Sequence, residues 1–253
     1  MTVLILGGTS EAAALARSCA DAGIEDVLVS LAGRTARPLP LPYPTRVGGF
    51  GGAAALAEFL RETAITALVD ATHPFAARIS ANAQHAAGAA GIPALALHRP
   101  EWPREPGDDW VEVDTVSDAV AALGETPRRV FLTVGRLELP AFAAAPQHAY
   151  LVRTIEPVGD ALPVPKLDVI EARGPFTAED EAATMVNNGI DVVVTKHSGG
   201  TATYGKIAAA RELGLPVIMV RRPPPSGMTA TSDLDEAVAF VRTHAGTSTK
   251  RGV

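Results

Sequence analysis

The chain is 253 residues long, 47% hydrophobic and 20% charged, with a formal net charge of −6. That length admits one large α/β domain or two small ones, and the composition supplies a real core and excludes general disorder. The acidic balance argues against a general nucleic-acid binder. No apolar run approaches the ~18 residues of a membrane span, and the single cysteine, Cys19, leaves neither a disulfide framework nor a cysteine metal site.

Residues 1–8 carry no basic region and run straight into Gly7-Gly8, which reads as a buried strand and not a signal peptide. A cytoplasmic location is expected. Alternation follows. Strands are predicted at Val3–Leu6, Val27–Leu31, Ala67–Asp70 and Ala94–Leu97, with helices at Ser10–Ala22, Gly52–Thr63 and Phe75–Ala90. A further strand ends at Val47, before the glycine-rich loop 48–52. The strands are nearly all apolar, as a parallel sheet covered on both faces requires.

The Pro- and charge-rich segment Arg99–Asp109 is the expected boundary, dividing the chain into units 1–104 and 105–253. The alternation then restarts, with strands at Val130–Val134, Tyr150–Thr154, Val192–Thr195 and Val217–Val220. Helices are expected at Ser117–Leu123, Thr177–Asn188, Tyr204–Leu213 and Leu234–His244, and Gly246–Val253 as a disordered tail. The fold class is α/β, with two Rossmann-like, doubly wound parallel-sheet domains.

Open parallel sheets bind ligands outside the carboxyl ends of their strands. The first strand ends in Gly7-Gly8-Thr9-Ser10-Glu11, a small-residue turn entering a helix, suited to a phosphate at the helix N-terminus. Thr9 and Ser10 add hydroxyls, and Ser10 is also a candidate N-cap. The second strand ends in Ser30-Leu31, with Arg34 beyond it and no acid. NAD sites place an acid there for the ribose 2′-hydroxyl, so a hydroxyl and a guanidinium point to NADPH; the alternative is that Arg34 is a solvated loop residue. Gly49 lies in a loop that flanks the cofactor or is only a turn.

Asp70-Ala71-Thr72-His73-Pro74-Phe75 closes the next strand. Asp70 needs a local partner such as the Thr72 hydroxyl or a backbone N–H, since a buried acid is costly unless bonded. His73 is a candidate proton donor or substrate contact, or a structural histidine. In the second half, Arg136 follows a strand in Val134-Gly135-Arg136. The stretch from Thr195 to Lys206 holds Lys196, His197, Ser198, Gly199, Gly200, Tyr204 and Lys206, and Arg221 ends the next strand. All four lysines (Lys166, Lys196, Lys206, Lys250) lie in this half, a composition suited to carboxylates or phosphates. The histidines lack metal-ligand spacing, and no metal is expected.

Four segments, Leu6–Ala12, Asp70–Ala76, Val134–Arg136 and Thr195–Gly200, resemble in order and spacing the signatures of the precorrin-6A reductases of cobalamin biosynthesis. Asp-Ala-Thr-His-Pro-Phe-Ala is the most specific of them. The resemblance implies NADPH and reduction of one carbon–carbon double bond of a ring-contracted tetrapyrrole to give precorrin-6B. It implies a polycarboxylate substrate held by Arg136, Lys196, Lys206 and Arg221, with His73 or Lys196 as candidate catalytic groups. The family has branches for metal-free and cobalt-containing substrate. The expected partner is this small molecule, with the protein a monomer or weak oligomer. One rival is a non-catalytic NADPH sensor. Another is a short-chain-dehydrogenase-like enzyme, but Tyr204-Gly205-Lys206 lacks the four-residue Tyr–Lys spacing that one helix face requires.

Overall fold

The alternating pattern produces two parallel sheets of six strands each in a computed structural model, which describes residues 1–33 and 40–246. The first unit comprises residues 1–99 together with the chain from Pro224 onward; the second comprises Pro100–Pro223.

In the first unit the order along the chain is β1 (Thr2–Leu6), α1 (Ser10–Asp21), β2 (Val27–Leu31), β3 (Thr45–Val47), α2 (Ala53–Glu62), β4 (Ile65–Asp70), α3 (Ala77–Ala90) and β5 (Ala94–Leu97). The sheet order is β12-β5-β4-β1-β2-β3, all parallel, with β12 (Thr229–Thr231) and α7 (Leu234–His244) returning from the end of the chain. Leu15, Ala16 and Cys19 of α1 pack with Ala237, Val238 and Val241 of α7 on one face, while Leu56 and Leu60 of α2 join Ala83 and Ala86 of α3 on the other. Burial drives the Cys19 thiol pKa up to about 11, so this cysteine acts as a small apolar side chain.

The second unit contains β6 (Trp110–Val113), α4 (Val116–Ala122), β7 (Arg129–Leu132), a 3-10 segment (Arg136–Ala144), β8 (Ala149–Thr154), β9 (Leu167–Glu171), α5 (Ala178–Asn187), β10 (Val192–Lys196), α6 (Gly205–Leu213) and β11 (Val217–Val220). Its sheet runs β6-β11-β10-β7-β8-β9, again all parallel.

Both limits of the expected second unit, 105–253, differ from the structure. Residues 100–104 fold with it, because Trp102 is buried in its core and its indole N–H donates to the Gly200 carbonyl at 2.6 Å. Residues 224 onward leave it, because β12 pairs with β5 and α7 completes the layer beside α1. The third helix starts at Ala77 and not Phe75, since residues 73–76 form a turn in which Ala76 N–H donates to the His73 carbonyl. The strand expected to reach Val134 stops at Leu132. Arg34 and residues 247–253 lie outside the described residues.

Two expectations follow from the packing. Val241 is fully buried between α7 and the first sheet, so Val241→Ala should cost about 2 kcal/mol in urea denaturation followed by circular dichroism. His148 is fully buried, its Nδ1 accepting the Arg128 N–H at 3.2 Å and its Nε2 lying 3.1 Å from the Gly124 carbonyl. Burial, chiefly, holds its pKa below the ordinary 6.5. The unfolded chain therefore takes up this proton at a higher pH than the native one. Stability should be full above about pH 6.5 and fall as pH drops toward the native pKa. Tryptophan fluorescence reports the second unit, which holds Trp102 and Trp110. His148→Gln should flatten its pH dependence over that window.

Candidate functional site

Each sheet has one point where the strand order reverses, and there the loops leave in opposite directions and open a crevice. In the first sheet it lies between β1 and β4, in the second between β7 and β10. The four segments singled out in the sequence are those that follow these four strands. Gly7–Glu11 stands beside Asp70–Phe75, and Val134–Arg136 beside Lys196–Gly200.

The first edge is fixed by backbone and hydroxyl bonds. Gly7 N–H donates to the Ser30 carbonyl at 2.8 Å and Ala71 N–H to the Leu6 carbonyl at 2.9 Å. Thr9, not Ser10, caps α1. Its hydroxyl accepts the Ala12 N–H at 3.1 Å and donates to the Ala71 carbonyl at 2.7 Å, tying the two loops together. Ser10 instead bonds Glu11, which sits 3.5 Å from the largely buried Arg99. Burial pulls the Arg99 pKa down from its ordinary value and Glu11 opposes that shift. Gly8 has φ of 111°, a conformation a side chain would strain.

Asp70 is fully buried and has the expected partners: its Oδ1 accepts from the Thr72 N–H at 3.0 Å and the Thr72 hydroxyl at 2.6 Å. Its Oδ2 has no hydrogen-bond partner among the described residues. His73 is half-buried and its Nδ1 accepts the Phe75 N–H at 3.2 Å, so a neutral ring carries its proton on Nε2. Ser30 is buried at the end of β2 and lies 3.4 Å from Nη1 of Arg46, which also bonds the Gly48 carbonyl and, at 2.9 Å, that of Gly49.

The second edge carries the expected cations, most of them already engaged. Lys196 pairs with Glu138 at 2.8 Å. Arg221 pairs with Asp114 at 3.0 Å in the open. Arg136 is exposed and has no carboxylate partner among the described residues. Lys206 departs from expectation: it is 2% exposed, donates to the Thr203 carbonyl at 2.7 Å and sits 4.9 Å over the Trp102 ring. It braces the loop from beneath and does not line its surface. Tyr204 is likewise committed, its hydroxyl donating to Glu105 and accepting from Arg211.

His197 is 5% exposed, stacked on Trp102 at 5.4 Å and edge-on to Trp110 at 5.8 Å, with no hydrogen-bond partner for Nδ1 among the described residues. Arg222 holds the backbone of the same loop, donating to the carbonyls of His197 and Ser198, both at 2.9 Å. A Cβ on Gly199 (φ 69°) would lie 2.1 Å from the Pro100 carbonyl oxygen, so only glycine fits this crossing.

Sequence reasoning missed Arg46, Arg99 and Glu138; Arg222 it placed at the strand end beside Arg221, without its role in holding the loop. Arg46 was recoverable, since it stands one residue before the end of the strand entering the glycine-rich loop. The Glu138–Lys196 pair spans 58 residues, and no local pattern announces it.

The contrast between buried and exposed cations is testable. Lys206→Met should lower stability by about 2 kcal/mol, the scale of a lost charged hydrogen bond in a buried setting. Arg221→Ala should change it by less than about 0.5 kcal/mol, because its ion pair is solvent-exposed. Urea denaturation of both variants checks the pair.

The family described as Precorrin-6x reductase CbiJ/CobK matches residues 2–242. A precorrin-6A reductase from Sinorhizobium sp is 54% identical over 93% of this chain and 90% of its own. A cobalt-precorrin-6A reductase from Priestia megaterium is 31% identical over 93% of this chain and 96% of its own. A solved structure, CobK precorrin-6A reductase, superposes with a TM-score of 0.92 at 42% identity, covering all of both chains. Among the described residues no helix is long and apolar enough to cross a membrane, and no cluster of side chains has the makings of a metal site. The chain belongs to the CbiJ/CobK precorrin-6x reductase family.

Proposed function

We propose that this chain is a cytoplasmic, NADPH-dependent reductase that converts precorrin-6A to precorrin-6B in cobalamin biosynthesis, holding cofactor on the first unit and the macrocycle on the second. The family supplies the reaction. The observation that carries the division of labour is the different chemistry of the two strand-reversal points. The first presents a helix N-terminus, a glycine turn and a β2 end without an acid, while the second presents Lys196, Arg136 and Arg221.

The first edge fits a dinucleotide. Gly8 keeps the turn free of a side chain, with nothing within 4 Å of the position a Cβ would take. The first N–H groups of α1 then face the pyrophosphate. Glu11 shares that helix end, and Arg99 offsets its charge. Ser30 faces the ribose, and Arg34, outside the described residues, follows the same strand in the sequence. Gly49 and Thr72 flank the same edge. When bound, the reduced nicotinamide supplies the hydride, and one added proton completes reduction of a single carbon–carbon double bond. Asp70 holds the Thr72–Phe75 turn through its Oδ1, and its uncommitted Oδ2 is an acceptor at the same edge.

Protein groups do the rest. His73 presents Nε2–H at this edge while the Phe75 N–H occupies Nδ1, and as the imidazolium, with that bond given up, it can deliver a proton from Nε2. Lys196 exchanges its bond to Glu138 for a substrate carboxylate, or donates a proton from the same position. Arg136 and Arg221 take further carboxylates, and His197, Ser198, Gly199 and Gly200 shape the loop that carries them. Lys206 and Tyr204 act from within, fixing that loop.

The test is anaerobic mixing of enzyme, NADPH and precorrin-6A. Loss of the reduced-nicotinamide absorbance in step with precorrin-6B formation is expected, and binding without oxidation would leave a cofactor sensor. Cobalt-precorrin-6A in a parallel reaction separates the two branches, and the metal-free compound should be the better substrate. Lys196→Ala should weaken macrocycle binding by about tenfold while sparing NADPH affinity, as expected for loss of one charged contact. Unchanged macrocycle affinity would demote that loop to scaffold.

A further inference from the structure

The geometry points to Arg46 as the residue that reads the 2′-phosphate of the cofactor, with Ser30 as its hydroxyl partner; this rests on the NADPH reading above. The register of β2 and β3 sets Arg46 directly opposite Ser30. Neighbours in register on parallel strands share a face, and Nη1 of Arg46 lies 3.4 Å from the Ser30 hydroxyl. This is the strand end where an NAD site carries its acid.

Arg46 is held before any ligand arrives. Its guanidinium lies 3.8 Å from the Phe50 ring centroid and 5.6 Å from that of Phe59, and the two rings pack at 5.0 Å. Stacking occupies the face of the guanidinium and leaves the donors around its edge available. The carbonyls of Gly48 and Gly49 accept from Nη1 and Nη2. With the bond to Ser30, three of five N–H donors are committed. Among the described residues, Nε–H and one Nη2–H have no partner, and no carboxylate lies within ion-pair distance.

This charge is therefore uncompensated, immobilised by its own loop, and placed beside a hydroxyl at the ribose end of the sheet. A phosphomonoester dianion matches the two uncommitted donors and the charge, whereas a ribose hydroxyl matches neither. Held by two carbonyls and an aromatic face, the side chain loses little further freedom on binding.

Calorimetric titration of the full chain with adenosine 2′,5′-bisphosphate and with adenosine 5′-monophosphate isolates this contact from catalysis. Wild-type protein should bind the bisphosphate more tightly. Arg46→Ala should weaken bisphosphate binding about 10–100-fold and leave the monophosphate within roughly twofold, the range for loss of a charged hydrogen-bonding group. Arg46→Lys, which keeps the charge without the fork, should fall between the two and guards against a folding defect in the alanine variant. Equal weakening of both ligands would show that Arg46 only supports the loop and would overturn the assignment. So would a bisphosphate preference that survives Arg46→Ala but disappears in Arg34→Ala. If the wild-type protein itself does not discriminate between the two nucleotides, the NADPH reading fails, not the choice of arginine alone.

Discussion

A parallel strand covered by helices on both faces can place a polar side chain safely only at its end. Within the sheet the backbone groups satisfy one another, and any buried side-chain oxygen or nitrogen would lack a partner. The buried polar residues on and just after the strands follow that constraint. Ser30 is the last residue but one of β2, Asp70 ends β4 with Thr72 just beyond, and Thr195 and His197 bracket the end of β10. Everything with chemistry to offer is thereby delivered to one edge of each sheet. Alternating strand and helix, with the order reversing once per sheet, turns two such edges into crevices.

Position alone does not make those edges rigid. The Thr9 hydroxyl links the first helix to the loop after β4, so the turn proposed to meet the cofactor and the turn that carries His73 are held by one group. Arg222 and Gly199 serve the second unit in a different way, clamping a loop through its carbonyls and through a contact that admits no side chain. Lys206 belongs with them. A buried ammonium over an indole ring, bonded to a carbonyl of its own loop, is too costly to release for a passing substrate.

Much of the fold is legible in the sequence because its inner strands are almost wholly apolar. Val27–Leu31, Ala94–Leu97 and Val217–Val220 are read to the residue. The strands that escape are β6, β9 and β12, and each lies at the edge of its sheet. An edge strand buries only part of one face, so Leu167–Glu171 and Thr229–Thr231 carry charged, polar or small residues where the inner strands carry valine and leucine. The return of the chain end to the first sheet is invisible for a related reason. The apolar stripe of α7 shows that it packs, not what it packs against. The site divides along the same line. Segments following inner strands are found from sequence, whereas the partners that set their state, Glu138 for Lys196 and Ala71 for Thr9, come from distant residues.

The two edges also differ in how their charge is held. At the first, Arg46 keeps its charge uncompensated by stacking on Phe50 and bonding carbonyls, which orient a guanidinium without neutralising it. At the second, Lys196 is neutralised by Glu138. A ligand phosphate at Arg46 gains nearly the full attraction of a new ion pair. A carboxylate at Lys196 gains only the difference between two carboxylates, and Glu138 must be rehydrated or find another donor. Exchange of that kind contributes less affinity than a new ion pair, on the order of tenfold, and disfavours groups that bond less well than a carboxylate. In the function proposed above, the cofactor is met by a standing charge on Arg46, and the polyanion in part by a charge, on Lys196, released only on a matching exchange. Such an arrangement suits tight, general cofactor binding beside slower, selective capture of the macrocycle.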